Sequence, residues 1–274
     1  MIGTQLRVLS LGAGVESSTV ALMAAHGEIT PMPDAAIFAD TQWEPAHVYR
    51  HLEWLRSVAE LPFPIHVVSM GNIRANVLTR RNTTGGRYAA IPWFTVNQDG
   101  SHGQGRRQCT SEYKLTAIMR KIREMLGKGR RERIAKGAVE VWIGISTGEA
   151  MRMKPARQQW MTNRWPLIEA GMGRRDCERW LSVNGYPIPK KSACIGCPFH
   201  NDTYWRDMRD NRPDEWADAV AIDRALREGD ARGMKAAEFM HSQRVPLNQV
   251  DLSTAEEHGQ GNLFINECEG MCGV

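Results

Sequence analysis

The 274-residue chain has no long uncharged apolar run and a mean hydropathy of −0.43, so the uninterrupted apolar segment of a membrane-crossing helix is missing from it. Its opening residues, MIGTQLRVLSLGAG, lack a charged leader followed by a cleavable apolar stretch, so no secretory signal and a cytoplasmic setting are expected. Internal repeats and low-complexity tracts are also missing. Cysteine is scarce, at six residues. That number could make three disulfides, but reducing surroundings turn attention to metal binding or catalysis. What remains is ordinary globular material, 42% hydrophobic and 24% charged, enough for a sizeable core. Single cores stop growing at about 250–300 residues, so one large domain or a domain with an appendage is expected.

The chain opens with an apolar stretch, Leu6 to Leu11, then Gly12-Ala13-Gly14-Val15-Glu16, then Ser17 to His26 with the composition of a helix. Strand, glycine-rich turn and helix in that order begin a nucleotide-binding α/β fold. Further strands are expected at Ala35 to Ala39, Ile65 to Ser69 and Val139 to Ile145, with helices over Glu44 to Val58, Ser111 to Leu126, Arg174 to Val183 and Asp202 to Glu228. The stretch from Gly71 to Gly105 is too long for a simple connection and reads as a functional loop or lid with short helical pieces. Gly12, Asp40 and Ser146 all fall at carboxyl ends of strands, where open α/β sheets bind their ligands. The expected fold is a doubly wound, mostly parallel α/β sheet over residues 1–165, followed by a helical, cysteine-bearing region over 166–274.

The turn resembles the PP-loop of N-type ATP pyrophosphatases and phosphoadenosine phosphosulfate (PAPS) reductases, S-G-G-x-D-S, whose six positions are filled here by Gly12, Ala13, Gly14, Val15, Glu16 and Ser17. Small residues let backbone N–H groups reach phosphate oxygens, the following helix points its positive end at the anion, and Ser17 and Ser18 add hydroxyls. Glu16 stands where the pattern has an aspartate, and a catalytic, magnesium-side role is expected of it. The segment Phe38 to Pro45 is similar to the D-T-G-x-x-x-P-E strand end of the reductases, which makes Asp40 a candidate for nucleotide contacts; a helix cap is the plainer reading. Arg106 to Lys114 is similar to the R-x-C-T-x-x-x-K segment, implying that Arg106, Arg107 and Lys114 face phosphate or sulfate, a task suited to the planar fork of arginine. Gly144 to Arg152 looks like G-x-R-x-x-E-S-x-R, with Glu149 and Arg152 retained. The matches run in consistent order over Leu6 to Arg152, and they imply the PAPS reductase/PP-loop superfamily rather than one activity.

Cys194-Ile-Gly-Cys197 has the spacing with which two thiolates chelate one metal centre. By itself the pair fits half a zinc site, a redox couple or two cluster ligands. The resemblance implies a [4Fe–4S] cluster, because iron–sulfur sulfonucleotide reductases hold one with this pair and with cysteines in the R-x-C region, where Cys109 stands after Gln108. Cys268 or Cys272 would be the fourth ligand; otherwise one iron stays open for sulfide, and a zinc site is the plainer reading. Glu267-Cys268 also matches the start of the reductases' nucleophilic E-C-G-[LI]-H tail, although Glu269 beside the thiol works against its ionisation. His200 is a possible neighbour or ligand, and Cys177 reads as a small core residue.

Arg120 to Lys136 holds eight Lys or Arg against two Glu in a chain whose total is +4. Such a run suits tRNA or DNA, though a solvated face is the commoner case. The sequence thus implies an enzyme that binds ATP or a sulfonucleotide (PAPS or adenylylsulfate) with magnesium. ATP-dependent sulfur insertion into a nucleic acid, fed by a sulfur donor protein, leads. Sulfonucleotide reduction is the alternative, and a non-catalytic zinc-stabilised binding module is the rival of another class.

Overall fold

The computed structural model describes residues 5–57, 59–79, 81–83, 91–228, 236–253 and 257. Strands β1 (Leu6–Leu11), β2 (Ala35–Asp40) and β3 (Ile65–Ser69) pair in parallel and spread to one side. The chain then returns to place β6 (Val139–Ile143) against the other edge of β1 and β7 (Met161–Arg164) beyond it. The order β3-β2-β1-β6-β7 makes the sheet doubly wound, with its switch point between β1 and β6. Two short strands between them, β4 (Phe94–Val96) and β5 (His102–Gln104), join β8 (Ala237–Phe239) in a separate antiparallel sheet.

Period-two alternation splits the strand residues between two faces. Leu9, Leu11, Ala36, Phe38 and Trp142 share a core with α1 (Val15–Ala25), α2 (Ala46–Ser57), α5 (Pro166–Glu169) and α6 (Arg174–Val183). Val8, Ile37, Ala39, Val141 and Ile143 pack with Ala117, Ile118 and Ile122 of α4 (Thr116–Met125). A third core joins α3 (Ile73–Thr79) and the tryptophans Trp43 and Trp93 to α7 (Asp202–Asn211) and α8 (Pro213–Glu228). It draws residues from both the 43–113 and the 195–252 stretches.

The expected strands appear near their expected bounds, and β7 was not read from the sequence. Helix α1 begins two residues early, at Val15, because Gly14 is extended and acts as its N-cap. The expected helix over 202–228 is two helices: Pro213 has no N–H to continue the first, and it opens the second. The Gly71 to Gly105 stretch holds α3, β4 and β5. Among the described residues, no helix is long and apolar enough to cross a membrane.

Candidate functional site

A cavity of about 510 Å³ opens at the carboxyl ends of β1, β2 and β6. Gly12, Gly14, Glu16 and Ser17 line it from the turn, Phe38 and Ala39 from β2, and Ile143, Gly144 and Ile145 from the end of β6. The turn is built to approach closely. A Cβ on Gly144 would lie 2.9 Å from the Ser17 nitrogen, so glycine there lets α1 start directly against β6. Ala13 holds φ at +54°, the left-handed conformation that favours glycine, at the place of the first glycine of the S-G-G-x-D-S pattern. Ser17 Oγ accepts the Gly12 N–H at 3.1 Å and donates to the Gly14 carbonyl at 3.4 Å, which staples the turn shut.

Ser18 is placed differently. One residue further round the helix, its hydroxyl is fully buried and meets His51 Nε2 at 2.8 Å, outside the cavity lining. Burial, and after it the charge of His47, lowers the His51 pKa to about 4, so the ring is neutral at pH 7. Asp40 also lies outside the lining. Its carboxylate accepts from the Gln42 N–H at 2.7 Å and from the Tyr49 hydroxyl at 2.8 Å, shaping the bend after β2. Burial and this bond push the Tyr49 phenol above its ordinary pKa. Arg106 lines neither this cavity nor the smaller one beside it.

Four cations of the cavity lining have acidic partners. Glu16 pairs with Arg174 at 3.0 Å, and Arg174 also reaches Glu178 at 3.0 Å. Glu149 and Arg152 pair with each other, both in the lining. Lys114 meets Glu44 at 3.5 Å, and Lys190 meets Asp207 at 3.2 Å. Arg174, Lys190, Lys191, Ser192 and Asp207 were not singled out from the sequence. They reach the cleft from segments with no phosphate-loop signature, and only the paired basic letters at 190 and 191 hint at them.

Beside the first cavity lies a pocket of about 40 Å³ lined by Cys109, Cys194 and Cys197, with Thr41, Arg107, Lys114 and Phe199. Cysteines 85 residues apart in the chain thus face one space (109 to 194). The C-x-x-C turn closes with a Cys197 N–H to Cys194 carbonyl bond of 3.0 Å. Gly196 has no room for a side chain, since a Cβ would come 2.1 Å from Trp43 Cη2, and its carbonyl accepts from Trp93 Nε1 at 3.0 Å. Cys194 Sγ lies 3.2 Å from Thr41 Oγ1 and donates to Glu44 Oε1 at 3.4 Å. Arg107 sits over the Phe199 ring, 5.6 Å from its centre.

Lys114 lines both spaces. His200 backs the thiol turn, donating from Nε2 to the Cys194 carbonyl at 2.9 Å and stacking on Tyr204 at 4.0 Å. Burial, then the Lys191 charge, lowers its pKa to about 3. Cys177 is buried under α1, its thiol pushed up to about 12 first by burial and then by Glu16.

The three thiols have the chemistry of a soft-metal donor set, but among the described residues no group of three or more His, Cys, Asp or Glu is arranged to hold a metal ion. Cys268 and Cys272 lie outside the described residues.

The basic run divides. Lys121 pairs with Glu124 at 2.6 Å, Lys128 with Glu132 at 3.6 Å, and Arg123 donates to the Gly129 and Glu132 carbonyls at 2.6 and 3.0 Å. Arg120, Arg130, Arg131, Arg133 and Lys136 are exposed. Residues 127–138 lead into the amino end of β6, whereas the cavity opens at its carboxyl end. The sheet therefore stands between this basic loop and the cleft.

No protein-family model matches the chain, and no curated protein matches it. Among solved structures, the chain is similar to the crystal structure of phosphoadenylyl-sulfate (PAPS) reductase from Candida auris, phosphate complex, with 12% identity and a TM-score of 0.44 over 69% of this chain and 77% of that one.

Proposed function

We propose that this chain is an adenine-nucleotide-dependent enzyme of the PAPS reductase/PP-loop type that acts at sulfur on, or beside, its bound nucleotide. One observation carries the reading: a three-thiol pocket adjoins a phosphate-loop cavity, and the two share Lys114. The Gly12 to Ser17 turn offers backbone N–H groups to phosphate, and Arg152, Arg174 and Lys114 offset its charge. Phe38, Ala39 and Ile118 supply an apolar wall for a base. Glu16 would stand on the magnesium side of the phosphates.

Of the two activities that the resemblance implies, sulfonucleotide reduction needs the cavity, its thiols and a dithiol reductant that supplies two electrons per turnover. Sulfur insertion into tRNA or DNA also needs a polyanion at the cleft mouth, while the exposed Arg130, Arg131 and Arg133 lie in the loop that leads into the amino end of β6. The present geometry therefore favours the sulfonucleotide. The exposed arginines keep the nucleic-acid reading as the second.

A [4Fe–4S] cluster, or structural zinc, on Cys109, Cys194 and Cys197 with Cys268 or Cys272 is what the resemblance implies, and the three described thiols in their present arrangement do not form such a donor set.

Two assays on anaerobically purified protein test the proposal. Sulfite release from adenylylsulfate or PAPS with a dithiol reductant is the expected result. Pyrophosphate release from ATP that depends on tRNA or DNA would favour insertion. Absence of both, with bound zinc and no iron or labile sulfide, would leave the non-catalytic module.

A further inference from the structure

Among the described residues, the three thiols of the small pocket have a metal's donor chemistry without its donor geometry. We infer that Cys194 and Cys197 are instead a dithiol–disulfide couple that exchanges electron pairs with a soluble disulfide or dithiol. The couple stands whether or not the larger cavity takes a nucleotide.

The turn itself places the pair. Its bond from the Cys197 N–H to the Cys194 carbonyl, 3.0 Å long, joins residue i to i+3 as in a β-turn, which keeps the end Cα atoms within about 7 Å. A disulfide spans about 4.4–6.8 Å between Cα atoms, so the backbone already stands close to what the bridge requires. The turn is also clamped. Trp43 leaves no room for a Cβ on Gly196, Trp93 Nε1 donates to the Gly196 carbonyl at 3.0 Å, and the Ile195 N–H donates to the Trp43 carbonyl at 2.9 Å. Trp43 is held in turn by Asp218, which accepts from its Nε1 at 2.7 Å and from Arg74 Nε at 2.7 Å. Two sulfurs on one fixed turn meet more often than two on a free chain, which favours the closed bridge over a mixed disulfide.

The surroundings suit exchange better than ligation. At about 40 Å³ the pocket has room for about three waters and not for the irons and sulfides of a [4Fe–4S] cube. Cys194 gives its proton to a hydrogen bond with the buried Glu44 carboxylate and also lies 3.2 Å from Thr41 Oγ1, so a metal would have to displace both contacts. Cys194 and Cys197 are half-buried, open to the sulfur of another molecule, whereas Cys177 is buried.

The exchange balances. One thiol attacks a sulfur of the disulfide R–S–S–R, the S–S bond breaks, and the departing R–S takes the attacking thiol's proton. The second thiol then attacks the protein sulfur of the mixed disulfide and releases the other R–S as R–SH. The pair is oxidised to its bridge and R–S–S–R is reduced to two R–SH; a soluble dithiol runs the sequence backwards.

The test treats the reduced full chain with glutathione disulfide, then alkylates and maps the peptides. The tryptic peptide 192–206 holds both cysteines. It should carry an internal disulfide, with glutathione adducts below about a tenth of it, and dithiothreitol should restore both thiols. Cys197→Ser should lose the bridge and raise the adduct on Cys194 about tenfold, Cys194→Ser should do the same on Cys197, and Cys109→Ser should keep the bridge. The wild-type map stands even if a serine variant fails to fold. A bridge from Cys194 or Cys197 to Cys109, Cys268 or Cys272 overturns the couple. So do stable wild-type adducts without a bridge, no reaction at either thiol, or bound zinc or iron that both serine variants lose.

Discussion

Lys114 Nζ lies 3.5 Å from Glu44 Oε1, and the Glu44 side chain is only 2% exposed. The same carboxylate receives the Thr41 hydroxyl at 2.9 Å and the Cys194 thiol at 3.4 Å. One buried acid therefore serves the cation shared by two cavities and a thiol of the C-x-x-C turn.

Replacing Glu44 with Gln removes the charge and keeps the shape. It removes the buried charge that Lys114 faces and weakens the bonds accepted from Thr41 and Cys194, at a cost of about 1–3 kcal/mol. Cys194 then loses the negative neighbour that opposes its ionisation, so alkylation should accelerate. Urea unfolding and timed iodoacetamide labelling with peptide mapping check both. Unchanged stability and labelling would separate Glu44 from the thiol.

Gly196→Ala should destabilise the chain by about 1–3 kcal/mol, the usual cost of overpacking, because the new methyl meets Trp43 at 2.1 Å. Gly148→Ala is its control, with nothing within 4 Å of the added Cβ. Equal thermal midpoints for the two variants would refute the packing described for the thiol turn.

Stability should fall in acid through His51. Its folded pKa of about 4 lies below the unfolded 6.5, so the unfolded chain binds the extra proton. The contribution is complete above 6.5 and is lost as pH falls toward 4, steepening the decline by at most about 1.4 kcal/mol per pH unit. His51→Gln should flatten that part of the curve, measured by urea unfolding at steps of pH. A slope identical to wild type would mean that the ring charges freely in the folded state.

On the nucleic-acid reading, substituting alanine at Arg130, Arg131 and Arg133 together should weaken tRNA or DNA binding and reduce the salt dependence, lowering the slope of log affinity against log salt by about 2–3. Nucleotide affinity should stay as in wild type, because these residues lie across the sheet from the cleft. Retention assays at several salt concentrations and calorimetry with ATP give the two readings. A fall in nucleotide affinity instead would place the loop functionally at the cavity.

The sheet was legible because its strands are short apolar runs and its first turn is rich in small residues. Cys109, Cys194 and Cys197 could be brought to one space only by matching separate motifs in order, since no local pattern joins residues that far apart. Ser17 and Ser18 look alike in the sequence; the roughly 100° step between helical neighbours puts one in the cavity and the other against His51. Arg174, Lys190 and Ser192 were not legible, because the segments that bring them to the cavity carry no motif or periodicity that marks a ligand site. The position of the basic run likewise depends on which end of β6 it precedes, a matter of topology.

The bare hydrogen at Gly144 also bears on how kin of this protein could be recognised. With α1 seated directly on the end of β6, even a methyl there would push the turn out of shape, whereas within the turn Ala13 fills a left-handed position without being glycine. A pattern that anchors on this remote position, and on the Trp43 and Gly196 pair, would follow the geometry through changes that a search for the turn alone would lose.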